Sequence, residues 1–266
     1  MTNPIFYDIL KQFKMRNTKK RGKKKIVLSL DHVSFSVSTE NGKKQILKNV
    51  SFTIDRPFTV ITGPNGGGKS TIAKLIAGIY RPDSGRICLN GKDITDLGVT
   101  ERAKSGISYA FQTPVRFKGI TVSDILKVAA GRDLSVAESC EFLSNVGLCA
   151  RDYLDREINN SLSGGELKRI EIATVLARKT PFAVFDEPEA GIDLWSFNSL
   201  IKVFENMRDA VHGSIVIISH QERILNIADR IIVISDGTVK KTGTREEILP
   251  SLFSGDKLCD ALKDKV

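Results

Sequence analysis

A glycine-rich segment in the first third of the chain reads Gly63-Pro64-Asn65-Gly66-Gly67-Gly68-Lys69-Ser70-Thr71. It fits the pattern GxxxxGKS/T, in which backbone N–H groups of a glycine-rich turn point inward and surround phosphate oxygens. The apolar run Phe58–Thr62 leads into the segment, and the helical pattern Thr71–Tyr80 follows it. This strand–loop–helix order predicts a nucleotide phosphate site at a helix N-terminus. Lys69 is expected at the β- and γ-phosphates, and the Ser70 hydroxyl on Mg²⁺.

Two acids end a second apolar run. Asp186 and Glu187 follow Phe182–Phe185, a continuous apolar stretch typical of a buried parallel strand. Functional residues of α/β proteins lie at the carboxyl ends of such strands. We therefore expect Asp186 to bind Mg²⁺, directly or through water, and Glu187 to polarise a water for attack on the γ-phosphate. By itself the pattern fits a solvated turn equally well, and the phosphate loop makes the catalytic interpretation the stronger one.

A second glycine site contains no lysine. It reads Leu162-Ser163-Gly164-Gly165-Glu166 and opens the helical pattern Leu167–Ala177. Ser163 fits a helix N-cap, and Glu166 three residues later completes a capping box, so an ordinary capped helix is one interpretation. The other is an anion site, because two adjacent glycines exceed what capping requires and leave the helix N-terminus bare. On the second interpretation, one chain has two phosphate-facing helix ends, which favours a site shared between two copies.

The rest of the chain alternates strands and helices, with one helical interruption. The predicted strands are Ile26–Val37, Gln45–Ile54, Ile107–Phe111, Ser214–Ser219 and Arg230–Ser235. The predicted turns are Asn41-Gly42, Asp83-Ser84-Gly85 and Asp236-Gly237. The predicted helices are Val122–Ala129, Val136–Val146 and Leu194–Val211, with short helices closing the chain. Strand signals are scarce between about 113 and 162, which predicts a helical subdomain inserted in an α/β core.

The positive charge of the chain lies in its first 25 residues. The formal net charge is +9, and residues 1–25 hold nine Lys or Arg and a single acid, Asp8. The remainder is balanced, which argues against nucleic-acid binding by the fold itself. The basic segment fits either a solvated leader, with Met15 as an alternative start, or a basic amphipathic helix at an anionic membrane. Four scattered cysteines without CxxC spacing fit a reducing compartment, and neither a long apolar run nor a secretory signal is present.

These motifs, in this order and spacing, resemble the ATP-binding cassette (ABC) ATPases over about residues 26–245. The resemblance implies an α/β fold: a P-loop core with an antiparallel β subdomain and an inserted helical subdomain. It implies an N-terminal extension over 1–25, an ATPase domain over 26–250 with its helical subdomain at about 113–162, and a helical tail over 251–266.

The resemblance also implies roles for three further residues. Gln112 matches the Q-loop glutamine at Mg²⁺ and the γ-phosphate, Asp193 the D-loop aspartate at the dimer seam, and His220 the switch histidine. The family pairs two cassettes head to tail on ATP and Mg²⁺, with residues 162–166 of one copy capping the ATP of the other. Val37 stands where many members stack an aromatic ring on adenine, so base contact is expected to be weaker.

Within the family, three stretches are similar to the SUF-system iron–sulfur assembly ATPases of the SufC type: Ala110–Val115, Glu189–Asp193 and Ser219–Leu225. This similarity implies a cytoplasmic ATPase that drives conformational change in a SufB-type scaffold protein. The alternative is the nucleotide-binding subunit of a membrane transporter, with a permease as partner. No nucleic-acid partner is expected, since members that act in translation usually carry two cassettes and those that act in repair carry a long coiled-coil insert.

Overall fold

The computed structural model describes residues 26–40, 42–210 and 213–253. The predicted extension over 1–25, Asn41 of one predicted turn, Val211 of one predicted helix and most of the predicted tail over 251–266 lie outside these residues. In the described part of the chain, no helix has the length and apolar character needed to cross a membrane.

A six-stranded sheet forms the centre of the molecule. Its strands are β3 (Phe58–Thr62), β6 (Ile107–Ala110), β7 (Phe182–Asp186), β8 (Ser214–Ile218), β9 (Arg230–Ser235) and β10 (Thr238–Gly243). They lie in the order β10-β9-β3-β8-β7-β6, and all neighbours are parallel except β9 and β10. All residues of β3, β7 and β8 are buried, as expected of a sheet covered on both faces. The parallel core predicted from the apolar runs is confirmed.

A four-stranded antiparallel sheet packs beside it. It contains β1 (Leu28–Thr39), β2 (Gly42–Ile54), β4 (Ser84–Leu89) and β5 (Lys92–Asp93), in the order β2-β1-β4-β5. The turn predicted at Asp83-Ser84-Gly85 is wrong, because β4 begins at Ser84. Gly85 has φ +90°, and a Cβ on it would lie 2.5 Å from the His32 carbonyl oxygen. The glycine therefore permits a close approach of β4 to β1 at a register shift.

Nine helices lie in the described residues. They are α1 (Lys69–Ala77), α2 (Val99–Lys104), α3 (Val122–Ala130), α4 (Val136–Asn145), α5 (Ala150–Tyr153), α6 (Gly164–Arg178), α7 (Leu194–Ala210), α8 (Glu222–Leu225) and α9 (Arg245–Phe253). Three of them, α3 to α5, fall inside the segment that the sequence predicts to be helical. α9 follows β10, where the sequence predicts short helices at the end of the chain, whereas α8, between β8 and β9, was not predicted.

Alternate residues of the central strands pack on opposite sides of the sheet. Val60 contributes to a core shared with α3, α6 and α7, while Ile61 contributes to a core shared with α1 and the antiparallel sheet. Side chains of a strand alternate between its two faces. A single strand, β3, thus joins both cores and carries the phosphate loop at its carboxyl end.

Arg102 attaches the end of α1 to α2. Its guanidinium is fully buried and donates to the carbonyl oxygens of Leu75 (2.5 Å), Ile76 (3.0 Å), Leu97 (2.9 Å) and Thr95 (2.9 Å). Burial lowers its pKa to about 10. This value is still well above neutral pH, so the guanidinium remains charged. The last carbonyls of a helix lack intrahelical partners. Arg102 supplies hydrogen-bond donors to these carbonyls of α1, the helix that begins at the phosphate loop.

We expect Arg102→Met to destabilise the fold by at least about 3 kcal/mol, because it leaves several buried carbonyls without donors. Thermal or urea unfolding measures this change. Arg81→Met is the matched control: Arg81 pairs with Asp96 at 2.6 Å, but both side chains are 74% exposed, and exposed pairs contribute about 0–1 kcal/mol. Equal losses in the two variants would contradict the structural role of Arg102.

Candidate active site

The phosphate loop needs glycine at positions that no side chain could occupy. Gly63 has φ +136°, and a Cβ there would lie 1.9 Å from the Ile234 carbonyl oxygen. Gly68 has φ +102°, and its Cβ would lie 2.6 Å from Leu47 Cδ2. Gly68 is also the N-cap of α1, and no side chain caps this helix start. The first N–H groups of α1 are therefore available to an anion.

Lys69 lies inside the curve of the loop. Its side chain is 5% exposed, and its ammonium donates to the carbonyl oxygens of Gly63 (2.8 Å) and Pro64 (2.9 Å). Burial lowers the pKa of Lys69, and the nearby carboxylates of Glu187 and Asp186 oppose that shift. The loop thus holds a buried cation where the sequence predicts phosphate contact.

Asp186 meets two hydroxyl groups at the carboxyl end of β7. Ser70 donates to one carboxylate oxygen at 2.9 Å, and Tyr109 donates to the other at 3.0 Å. Burial raises the pKa of Asp186, while both hydrogen bonds lower it. Sequence reasoning missed Tyr109, which lies in the predicted strand Ile107–Phe111. Ser70 and Asp186 together present hard oxygen donors of the kind that Mg²⁺ prefers, so the residues present fit that ion.

Glu187 occupies a strained backbone position. Its φ is +46°, in the left-handed region that non-glycine residues rarely adopt. Its N–H donates to the Ile218 carbonyl at 3.0 Å, which helps to hold this conformation. Gln112 Nε2 donates to the Glu187 carboxylate at 2.6 Å. The structure thereby brings the predicted Q-loop residue to the predicted base, and strained residues of this kind cluster at functional sites.

The carboxyl ends of β7 and β8 are joined by a further acid. Ser219 donates to Glu189 at 2.5 Å and accepts from the N–H of Gln221 at 3.0 Å, on either side of the exposed His220. Burial raises the pKa of Glu189. Sequence reasoning used Glu189 only as part of a motif and did not foresee this contact. Asp193 lies further along, 60% exposed and 4.0 Å from an Arg169 nitrogen.

Both ends of the second glycine site make contacts within their own chain. Leu162 is 2% exposed and belongs to the core. Glu166 accepts from the Tyr153 hydroxyl at 2.5 Å and the Ser163 N–H at 2.6 Å, and Arg156 lies 3.4 Å away. These contacts, the Tyr153 hydrogen bond first, lower the pKa of Glu166 to about 2. Among residues 26–40, 42–210 and 213–253, no hydrogen bond or ion pair joins 162–166 to the phosphate loop.

Only the middle of this motif faces outward. Ser163 caps α6 in a capping box with Glu166, which agrees with the capped-helix interpretation. Gly164 and Gly165 have ordinary negative φ, and a Cβ on Gly164 would meet nothing within 4 Å. Of the five residues that the sequence predicts to act on a second copy, Leu162 and Glu166 are therefore committed to internal contacts. Ser163, Gly164 and Gly165 form the outward-facing part.

An apolar groove lies beside Gln112. It encloses about 650 Å³ between the end of β6, α3 and α6. Phe111, Val115 and Phe117 line it with exposures of 40%, 48% and 38%, and Val128 of α3 is 74% exposed. The groove places solvent-exposed apolar surface one residue from the predicted Q-loop glutamine. We call it the Q-loop groove below.

The aromatic residue nearest to the expected adenine position is already engaged. Phe35 is 9% exposed and stacks on Tyr80, with ring centroids 5.0 Å apart and an interplanar angle of 13°. Val37 pairs with Lys44 in the β1–β2 ladder. Since Phe35 is packed against another ring, it does not replace the missing aromatic, and base contact remains predicted to be weak at Val37.

Comparisons with known proteins point to one family. The chain matches the family described as ABC transporter over residues 47–190. It is 41% identical to an uncharacterised ABC transporter ATP-binding protein of Methanocaldococcus jannaschii, a match that covers 78% of this chain and 86% of the relative. It is 34% identical to a probable ATP-dependent transporter, ycf16, of Pyropia yezoensis (76% and 87%). It is 33% identical to the energy-coupling factor transporter ATP-binding protein EcfA1 of Ureaplasma parvum (84% and 76%).

Solved structures share the fold. A dimeric ATP-binding cassette bound to ADP and phosphate superimposes with a TM-score of 0.74 at 23% identity, covering 82% of this chain and 98% of that one. A nucleotide-free cassette from an ABC transporter gives a TM-score of 0.74 at 26% identity, covering 89% and 98%. The predicted fold class, a P-loop core with an antiparallel sheet and helices, is confirmed.

Proposed function

Because the chain belongs to the ABC transporter family of ATP-hydrolysing cassettes, we propose that it is the ATP-binding subunit of an assembly in which two cassettes dimerise around bound ATP. The observation that carries this proposal is the convergence of Lys69, Ser70, Asp186, Glu187 and Gln112 at the carboxyl ends of β3, β6 and β7. These groups come from distant parts of the sequence, and the carboxylates of Glu187 and Asp186 lie near enough to act electrostatically on the Lys69 ammonium.

Each group has a distinct task in hydrolysis. Glycine N–H groups and Lys69 hold the phosphates of ATP. Glu187 accepts a proton from the attacking water, and Gln112, which contacts its carboxylate at 2.6 Å, positions that base. His220 holds the γ-phosphate from the end of β8. Ser70 and Asp186, close to Gln112, would hold Mg²⁺, which when bound would supply positive charge at the phosphate oxygens.

The outward-facing glycines support a site completed by a second copy. Glycine in a helix costs about 0.5–1 kcal/mol relative to alanine, and neither backbone angle nor neighbouring atoms require it at Gly164. The use of glycine here is explained if a group from outside the chain approaches this helix end closely. In the closed dimer, Ser163, Gly164 and Gly165 of one copy lie against the γ-phosphate bound to the other, and Asp193 lies at the seam.

We expect Gly164→Ala to separate stability from function. The variant should be as stable as the original cassette or more so, by up to about 1 kcal/mol, since alanine favours the helix. It should also lose most ATP-dependent dimerisation, because the added methyl occupies the contact surface. Thermal unfolding and size-exclusion chromatography with ATP measure the two effects. Normal ATP-dependent dimers would argue against the shared site.

The partner of the cassette binds at the Q-loop groove. Its exposed apolar residues adjoin Gln112, so a partner seated there can influence the base at Glu187. The relatives carry names of transporter ATP-binding proteins, which supports a membrane component as that partner. This reverses the order suggested by sequence motifs alone, where the scaffold protein came first.

A SufB-type scaffold remains the second candidate. Three stretches favour it: Ala110–Val115, Glu189–Asp193 and Ser219–Leu225 resemble those of the iron–sulfur assembly ATPases. The names of the three relatives given above do not mention iron–sulfur assembly. Both candidates use the same hydrolytic residues, so ATPase activity does not distinguish them.

Co-purification of the full chain from its native membranes and cytosol tests the two candidates. An integral membrane protein retained after detergent extraction supports the transporter subunit. A soluble partner that carries iron and acid-labile sulfide supports the scaffold instead. Val115→Asp, which puts a charge in the Q-loop groove, should abolish capture in either case. Its control is Val99→Asp, on α2 away from the groove and 51% exposed.

A further inference from the structure

An ion pair on α6, largely buried, holds the backbone of Phe111 and Gln112. Lys168 is fully buried, and its ammonium donates to the carbonyl oxygens of Phe111 and Gln112, the latter at 3.3 Å. Glu171 accepts from the N–H of Phe111 at 2.7 Å. The two side chains also pair with each other at 3.3 Å. We call this arrangement the Lys168–Glu171 clamp.

The clamp has an unusual composition for a structural contact. Lysine and glutamate are almost never fully buried unless paired, and burial raises the pKa of Glu171, against the effect of Lys168. An apolar pair of similar volume often stabilises a protein as well as a buried ion pair does, or better. Stability alone therefore does not account for the presence of two charges here. Their hydrogen bonds to one short backbone segment do distinguish them from an apolar pair.

The clamp connects two regions that the proposed mechanism uses separately. Lys168 and Glu171 lie on the first turns of α6, the helix that Ser163 caps. The backbone that they hold bears Gln112, whose side chain contacts Glu187. A continuous series of contacts thus runs from the helix end that faces a second copy to the base of the same cassette.

We propose that Lys168 and Glu171 are positioning residues that fix the Gln112 segment to α6, so that displacement of α6 moves Gln112 relative to Glu187. This inference rests on the proposed role of Gln112 in hydrolysis. Neither residue touches nucleotide, and both act through Gln112. Docking of α6 on a second cassette would thereby reach the hydrolytic base without any rearrangement of the phosphate loop.

The test replaces the charges while preserving volume. In the Lys168→Met/Glu171→Leu double variant, packing is retained and the hydrogen bonds to residues 111 and 112 are lost. We expect a melting temperature close to that of the unmodified chain, because Phe111 and Gln112 are exposed and water can replace the lost hydrogen bonds, unlike the buried carbonyls that Arg102 serves. We expect kcat to fall about ten- to a hundredfold, as misplacement of catalytic groups does, while the Kd for MgATP stays within about twofold because the phosphate loop is intact. Lys104→Met, at an exposed position on α2, is the control.

Gln112→Ala separates this inference from the proposed function. An unchanged kcat in Gln112→Ala would overturn the role of Gln112 itself. If Gln112→Ala lowers kcat but the double variant does not, the clamp is overturned and the role of Gln112 stands. If the clamp acts through Gln112, adding Gln112→Ala to the double variant should cause no further loss, since coupled residues are non-additive. Fully multiplicative losses would contradict the proposal.

Glu171→Ala provides a second variant should the double variant fail to fold. It removes the acceptor of the Phe111 N–H and leaves Lys168 with its two carbonyl partners. We expect a smaller fall in kcat with an unchanged Kd for MgATP. If kcat of Glu171→Ala equals that of the unmodified chain, the proposal that the clamp positions Gln112 is overturned.

Discussion

Glu187→Gln is expected to halt ATP turnover and to accumulate an ATP-bound dimer. The amide retains an oxygen that can accept from Gln112 Nε2, which contacts Glu187 at 2.6 Å, so the shape of the site is preserved. The amide does not accept a proton from water, and a positioned general base contributes about 10²–10⁴-fold to rate. We expect kcat to fall by at least about a hundredfold, with the affinity for MgATP unchanged. Steady-state ATPase assays and light scattering with ATP measure the two results.

The control for this variant is Glu141→Gln, at an exposed position on α4, which should behave as the unmodified chain does. A Glu187→Gln variant that binds ATP but stays monomeric would contradict the shared site. A variant that still turns over at the original rate would instead remove Glu187 from the proposed mechanism. The two readouts thus test dimerisation and chemistry separately.

Lys69→Ala is expected to abolish useful nucleotide affinity. The Lys69 ammonium is buried and held against two loop carbonyls at 2.8 and 2.9 Å, so it meets the phosphates already oriented. Hydrogen bonds to charged groups contribute about 1.5–3 kcal/mol each, and loss of two corresponds to an increase in Kd of at least about a hundredfold. Isothermal titration with MgATP measures this change.

Circular dichroism of the Lys69→Ala variant should match that of the unmodified chain, since the loop conformation depends on its glycines. Lys92→Ala, at an exposed position on β5, is the control for charge alone. Retention of MgATP affinity within a few-fold in a folded Lys69→Ala variant would be incompatible with the phosphate site. Hydrolysis at the original rate would also be incompatible with it.

Local patterns were sufficient for the elements around the site. The glycine spacing of residues 63–68 reflects backbone angles and close contacts that exclude a side chain, so a motif in the sequence corresponds directly to a shape. Continuous apolar runs likewise identified the buried strands β3, β7 and β8. Both signals arise from neighbouring residues, and tertiary contacts did not alter them.

Local patterns failed where a distant part of the chain supplied the deciding contact. Ser84 and Gly85 of the predicted turn belong to β4, which approaches β1 closely at Gly85. Helix patterns predicted Ser163 correctly as a cap, yet they did not separate it from Leu162, which the core buries. Alternation and capping signals do not report which side of a motif the rest of the chain covers.

The amino-acid order alone was enough to predict the glycine-rich loop, the parallel core and the two acids at the carboxyl end of β7, because each depends on local backbone and side-chain chemistry. Folding determined which groups meet. Tyr109 reaches Asp186 across 77 residues, and Lys168 reaches Phe111 across 57. Contacts at such separations leave no periodic signal in a single sequence. The partners that position Asp186 and Gln112 therefore became visible only when parallel strands and α6 brought them together at one edge of the sheet.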